Sequence, residues 1–205
     1  MDDIVAITLF RHGLTEENKR RAYLGWTDSP LSQVEKREIS KVGVYYDQLF
    51  SSDLGRCLET AKEMFPTYDP HIMPELREMN FGQWEGKVYE ELKHDEEYRR
   101  WLVDPSLIKP PNGETFAEFS IRVIHGWEQL TKRILDMDMK RAAIMTHGGV
   151  IRFLLMRFSP EKKSFWEWTA SHGKGYEFIW NREGLRRGER CILLQEVPLM
   201  AKQNG

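Results

Sequence analysis

Apolar residues along this chain come in short dense runs separated by longer amphipathic stretches. Residues 4–10 (IVAITLF) are almost continuously apolar and rich in β-branched side chains. That pattern predicts a strand buried on both faces, as inside a parallel sheet. Residues 46–52 and 141–146 carry similar signatures. Gly13 breaks the first run, and Thr15-Glu16-Glu17-Asn18 reads as a helix start with Thr15 as N-cap. Residues 24–30 (LGWTDSP) form a turn-rich loop, 32–45 a helix with a weak apolar stripe, and 55–65 a helix ended by Pro66. Residues 79–86 (MNFGQWEG) read as a glycine-punctuated loop, and 88–102 as a charged helix with Trp101 and Leu102 inward. Residues 104–113 hold three prolines and a glycine, which makes them a loop and a candidate lid. Over 114–137, Phe116, Phe119, Val123, Trp127, Leu130 and Ile134 recur at three- and four-residue steps, the signature of a long amphipathic helix. Residues 150–158 continue as a helix after the last buried run, and 175–181 with 190–197 predict a β-hairpin. Strands alternating with helices imply an α/β fold, a three-layer α/β/α sandwich with a mostly parallel sheet and the hairpin as its antiparallel edge.

Composition narrows the partners. With 205 residues, one domain over 1–205 is expected. Thirty Lys+Arg against 32 Asp+Glu leave a net charge of −2, which supplies no electrostatic reason to expect nucleic acid or an anionic membrane. Cys57 and Cys191 are too few for a disulfide framework or a cysteine zinc site. The start carries acids where a signal peptide carries bases, and no run approaches the roughly 18 apolar residues of a membrane helix. The expectation is a soluble, cytoplasmic protein.

Twice the chain places His-Gly directly after a buried run and before a helix: Arg11-His12-Gly13 and Thr146-His147-Gly148. In open α/β sheets ligands bind outside the carboxyl ends of strands, where helix N-termini favour anions. Arg11 and Arg56 add guanidiniums at strand ends, and these bind phosphate bidentately without losing charge. A neutral imidazole can accept a phosphoryl group, and the transfer needs mainly positioning and charge neutralisation. An alkoxide leaving group needs a proton, so a carboxylic acid should sit nearby. Glu78, before an aromatic glycine loop, is the best candidate.

The segments LFRHGLTEEN, SSDLGRCLETA, LREMNFGQWEG and MTHGGVIR, in that order, closely resemble the histidine phosphatase superfamily, also called phosphoglycerate-mutase-like. The similarity spans residues 4–152, with GWTDSPLS and PNGETF as weaker blocks. The resemblance implies that His12 is the phosphorylated nucleophile, that Arg11, Arg56 and His147 hold the phosphate, and that Glu78 is the general acid and later the base. It also implies an Asn18 hydrogen bond to the phosphoryl oxygens and a Gly148 backbone contact. No cofactor and no metal are implied; the partner is a small-molecule phosphate monoester. Leu14 stands where the family has an acid and Glu35 where it commonly has glycine, and residues 31–51 are short by up to two helix turns. Compactness and the LREMNFGQWEG version favour the phosphatase branch, which contains broad-specificity enzymes and α-ribazole phosphatases; the alternative is a phosphoglycerate-type mutase. A metallohydrolase using His12, His147, Asp53 and Glu78, and a phospho-ligand-binding module built on the C-terminal aromatics, are weaker alternatives. His71, His94, His125 and His172 receive no role, Cys57 reads as a small buried residue, and Lys19, Arg20, Arg21 and Arg77 read equally as a solvated basic cluster or a specificity surface.

Overall fold

A computed structural model of the chain describes residues 3–172 and 174–198. Its strands are β1 (Ile4–Arg11), β2 (Gln48–Ser51), β3 (His71–Ile72), β4 (Arg141–Thr146), β5 (Lys174–Asn181) and β6 (Leu193–Pro198). Its α-helices are α1 (Glu16–Arg20), α2 (Gln33–Glu38), α3 (Gly55–Met64), α4 (Tyr89–Leu92), α5 (Glu96–Val103), α6 (Phe116–Asp136), α7 (Gly148–Phe158) and α8 (Arg182–Arg186). The sheet runs β3-β2-β4-β1-β5-β6. The first four strands pair in parallel, and β5 and β6 are antiparallel.

Alternation along the strands builds two cores. Val5, Ile7 and Leu9 of β1 and Ala142 and Ile144 of β4 pack with Phe119, Val123, Trp127 and Leu130 of α6 and with the apolar side of α7. Phe10, Ala143 and Met145 leave the other face and meet Cys57, Ala61 and Met64 of α3. Both faces are thus covered, giving the three layers expected. Each fully buried side chain of Leu or Phe size contributes about 1.5–3 kcal/mol, so the continuous apolar runs are what hold the sheet central. A third, smaller cluster joins Trp84, Leu92, Tyr98 and Trp101.

The register has a direct consequence for chemistry. Arg11 of β1 lies opposite Thr146 of β4, and the amide of His12 donates to the Thr146 carbonyl at 3.0 Å. The two His-Gly breaks, more than a hundred residues apart in sequence, leave adjacent strands side by side.

Several elements depart from expectation. The helix expected over 32–45 stops at Glu38, because Ile39 and Val42 turn to pack under the second core and the Val42 amide donates to Met64 O. The helix expected over 88–102 is two helices, since Asp95 caps a new start by accepting from the Tyr98 amide. The C-terminal hairpin is interrupted by α8, which Asn181 caps through the Gly184 amide. The two-residue strand β3 has too short an apolar pattern to announce itself. Residues 104–113 are irregular, and their end is tied down: Gln83 N donates to Pro111 O and Glu114 N to Asn80 O. Gly82 has φ +54, and a Cβ there would meet Pro111 O at 2.0 Å, so this turn requires glycine. No helix among the described residues is long and apolar enough to cross a membrane.

Candidate active site

The strand ends deliver His12, His147, Arg11 and Arg56 to one buried location. The His12 and His147 rings lie 5.1 Å apart. His12 Nδ1 donates to its neighbour's carbonyl, Gly13 O, at 2.8 Å. A carbonyl only accepts, so Nδ1 carries the ring proton and Nε2 keeps a free lone pair. His147 is held at both nitrogens. Arg56 donates to its Nδ1 at 3.2 Å, and its Nε2 then donates to Ser52 Oγ at 2.9 Å. Burial first, then the Arg56 and Arg11 charges, hold His12 well below the usual imidazole value of 6.5. Burial and Arg56 do the same to His147. Both imidazoles are therefore neutral near neutral pH.

Arg56, fully buried on α3, donates to Gly25 O at 2.6 Å and Thr27 O at 3.0 Å, so the 24–30 loop orients it. Asp28 in the same loop accepts from the Gly55 amide at 2.6 Å, where a carboxylate complements the N-terminus of α3. Arg11 donates to Ala170 O, and burial pushes it down to about 10. The Nε atoms of Arg11 and Arg56 are both buried without a hydrogen-bond partner. Unpaired buried donors are costly, and an anion placed here relieves both deficits. Gly148 begins α7 against Arg11: a Cβ there would lie 3.3 Å from the Arg11 guanidinium carbon.

Glu78 faces this cluster from the loop after Leu76. Its carboxylate accepts from the Gly149 amide at 2.8 Å and the Met79 amide at 2.9 Å. A Cβ at position 149 would meet Glu78 Oε1 at 2.1 Å, so the approach needs glycine. The Glu78 backbone is clamped from behind: its carbonyl accepts from Trp26 Nε1 at 2.9 Å and from Arg122 at 3.0 Å. Arg122 on α6 also donates to Glu75 O and Arg77 O and pairs with Glu114 through two bonds of 2.8 Å. Arg77 and Arg122 both sit over the Trp26 ring.

Asn18 is the outlier among the expected residues. Its amide oxygen accepts from Thr15 N, and its backbone N–H donates to Thr15 Oγ1, the reciprocal cap of α1. Its side-chain bond thus serves the turn after the first His-Gly rather than the histidines. Residues that sequence reasoning missed fill the surroundings. His172 donates from Nδ1 to His12 O at 3.1 Å, and burial with Arg11 lowers it to about 4. Ser52, Trp26, Arg122 and Glu114 had no individual signal, although SSDLGRCLETA, GWTDSPLS and PNGETF held three of them. Asp53 is paired with Arg77, and no group of three or more His, Cys, Asp or Glu able to hold a metal occurs among the described residues. Lys19 and Arg20 pair with Glu16 and Glu17 on the surface. Cys57 is buried, and burial pushes its thiol up, as suits an inert packing residue. Of the C-terminal aromatics, Trp168, Tyr176, Phe178 and Trp180 pack into the core, whereas Trp166 is 59% exposed.

The family model described as the histidine phosphatase superfamily (branch 1) matches residues 7–186, and the chain belongs to this superfamily. Among curated relatives, the adenosylcobalamin/α-ribazole phosphatase of Salmonella typhimurium is 31% identical over 176 residues, covering 80% of this chain and 85% of that one. The metal-independent phosphoserine phosphatase of Arabidopsis thaliana is 27% identical, covering 77% of this chain and 70% of that one. Among solved structures, the α-ribazole phosphatase from Shigella flexneri superposes with a TM-score of 0.83 at 26% identity, covering 98% of this chain and all (100%) of that one.

Proposed function

We propose that this protein hydrolyses phosphate monoesters without a metal, through a phosphohistidine at His12. The observation that carries the reading is the pair of unpartnered buried Nε–H groups of Arg11 and Arg56 beside an imidazole with its Nε2 lone pair free. In this reading the two guanidiniums and the Gly148 amide take the phosphoryl oxygens. Nε2 of His12 forms a bond to phosphorus as the ester P–O bond breaks. The leaving alkoxide takes a proton from Glu78. Water then enters, gives a proton back to the Glu78 carboxylate, and attacks phosphorus as the N–P bond breaks, releasing inorganic phosphate. His147, donating the Nε2–H that Ser52 Oγ otherwise accepts, stabilises charge that builds on the phosphoryl group. The phosphatase names of the similar proteins support the hydrolytic outcome over transfer to a second sugar acid, and one of them supports metal independence. Rapid acid-free quenching with a radiolabelled monoester tests it. A base-stable, acid-labile label on the protein, absent in His12→Ala and unaffected by chelator, is the expected result; chelator-sensitive turnover or no label overturns it.

A further inference from the structure

Glu78 and Gly149 also line a cavity of about 490 Å³. Its remaining walls are mainly aromatic: Phe81, Trp101, Phe116, Phe119, Phe165 and Trp166. The mouth is apolar as well, with Val103 87% exposed at its rim. Glu78 is the only acid in the lining and Arg152 the only cation. Arg152 lies one turn beyond Gly148 on α7, and its side chain makes no hydrogen bond or ion pair among the described residues; its Nε is buried and unpartnered.

We infer that this cavity is the leaving-group subsite and that it takes an aromatic or heteroaromatic ring carried by the alcohol of the phosphomonoester. The inference rests on the phosphatase reading, because it places the ester oxygen at Glu78, which lines this cavity and accepts from the Gly149 amide next to His147-Gly148. From Glu78 the rest of the alcohol extends between the aromatic walls. The volume suits a ring system of one to three fused or linked rings, within the range of small-molecule pockets. Aromatic walls favour offset or edge contacts with another ring, and an unpaired guanidinium favours an electron-rich face or a ring acceptor. A zwitterionic alcohol finds no match here: its ammonium has no acid besides Glu78, which is occupied with the reaction.

A panel of monoesters with comparable primary alkoxides tests this: ethyl phosphate, phosphoserine, 2-phenylethyl phosphate and 2-(1-naphthyl)ethyl phosphate. The expected result is a kcat/KM about 10- to 100-fold higher for the two aromatic esters than for ethyl phosphate, the gain from burying one ring. Trp166→Ala, at an exposed position the fold tolerates, should shrink that ratio about 2- to 10-fold. Equal turnover of all four esters overturns the subsite and leaves the phosphatase reading standing. An undiminished ratio in Trp166→Ala overturns this cavity as the location of the ring. No turnover of any ester overturns the phosphatase reading, and the subsite with it.

Discussion

His12 and His147 occupy equivalent sequence contexts, each one residue past a buried strand and followed by glycine, yet their rings are wired differently. His12 spends only Nδ1, on the carbonyl of the adjacent Gly13. His147 has both nitrogens engaged, by Arg56 and Ser52, 91 and 95 residues away in the chain. One ring therefore presents a free lone pair, and the other is a held donor. The lesson is that a strand-His-Gly-helix pattern selects where an anion can bind, while the partners of the second nitrogen decide which ring is free to react.

The largest effects come from removing one ring or the other. His12→Ala should cost about 10⁴- to 10⁶-fold in kcat on an aryl phosphate, whereas His147→Ala should cost about 10²- to 10³-fold, the loss of one charge-stabilising donor. Equal losses, or a phosphoenzyme that survives in His12→Ala, would reverse the roles assigned to the two rings. Next in size, Glu78→Gln should slow alkyl esters about 10²- to 10⁴-fold and an activated aryl ester far less, because only a poor leaving group needs the proton. A common factor for both substrates would remove Glu78 as the donor.

A smaller effect is expected on titration. Burial, Arg56 and Arg11 lower His12, so its free-enzyme form stays neutral and nucleophilic well below pH 6.5. Arg11→Met removes one of the two guanidinium charges, and the His12 titration followed by NMR should move upward, toward 6.5. No movement would mean that burial alone sets it. The smallest expected change concerns stability. His12, His147 and His172 all have lowered folded values, so the unfolded chain binds more protons as pH falls below 6.5. Stability is then full above about pH 6.5 and is lost progressively on acidification; the part due to His172 is lost down to about 4. His172→Asn should flatten that fall in thermal melts measured between these values. Ser52→Ala leaves the His147 Nε2–H without its buried acceptor and should cost about 1–3 kcal/mol. A melt unchanged by Ser52→Ala would show that His147 finds another partner.

Legibility followed locality. The β1 and β4 runs and the α6 periodicity were readable because each signal repeats over six or more residues of contiguous chain. The 32–45 stretch misled because a weak stripe loses to packing of Ile39 and Val42. Arg11, His12, Arg56, Glu78 and His147 were legible because they sit in motif blocks at strand and loop ends, and the sheet does bring the four basic ones together. His172 and Arg122 were not, since nothing in their neighbours distinguishes them from surface or packing residues.

What local pattern settles here is the succession of strands and helices and the list of reactive side chains, because apolar periodicity and turn chemistry act over a few residues. Tertiary structure alone decides that β1 and β4 are neighbours, that Arg56 is oriented by Gly25 and Thr27, and that Glu78 reaches the Gly149 amide while lining an aromatic cavity. Those outcomes depend on burial and on hydrogen bonds closed across scores of residues. Such terms exist only once the chain has excluded water from both faces of the sheet.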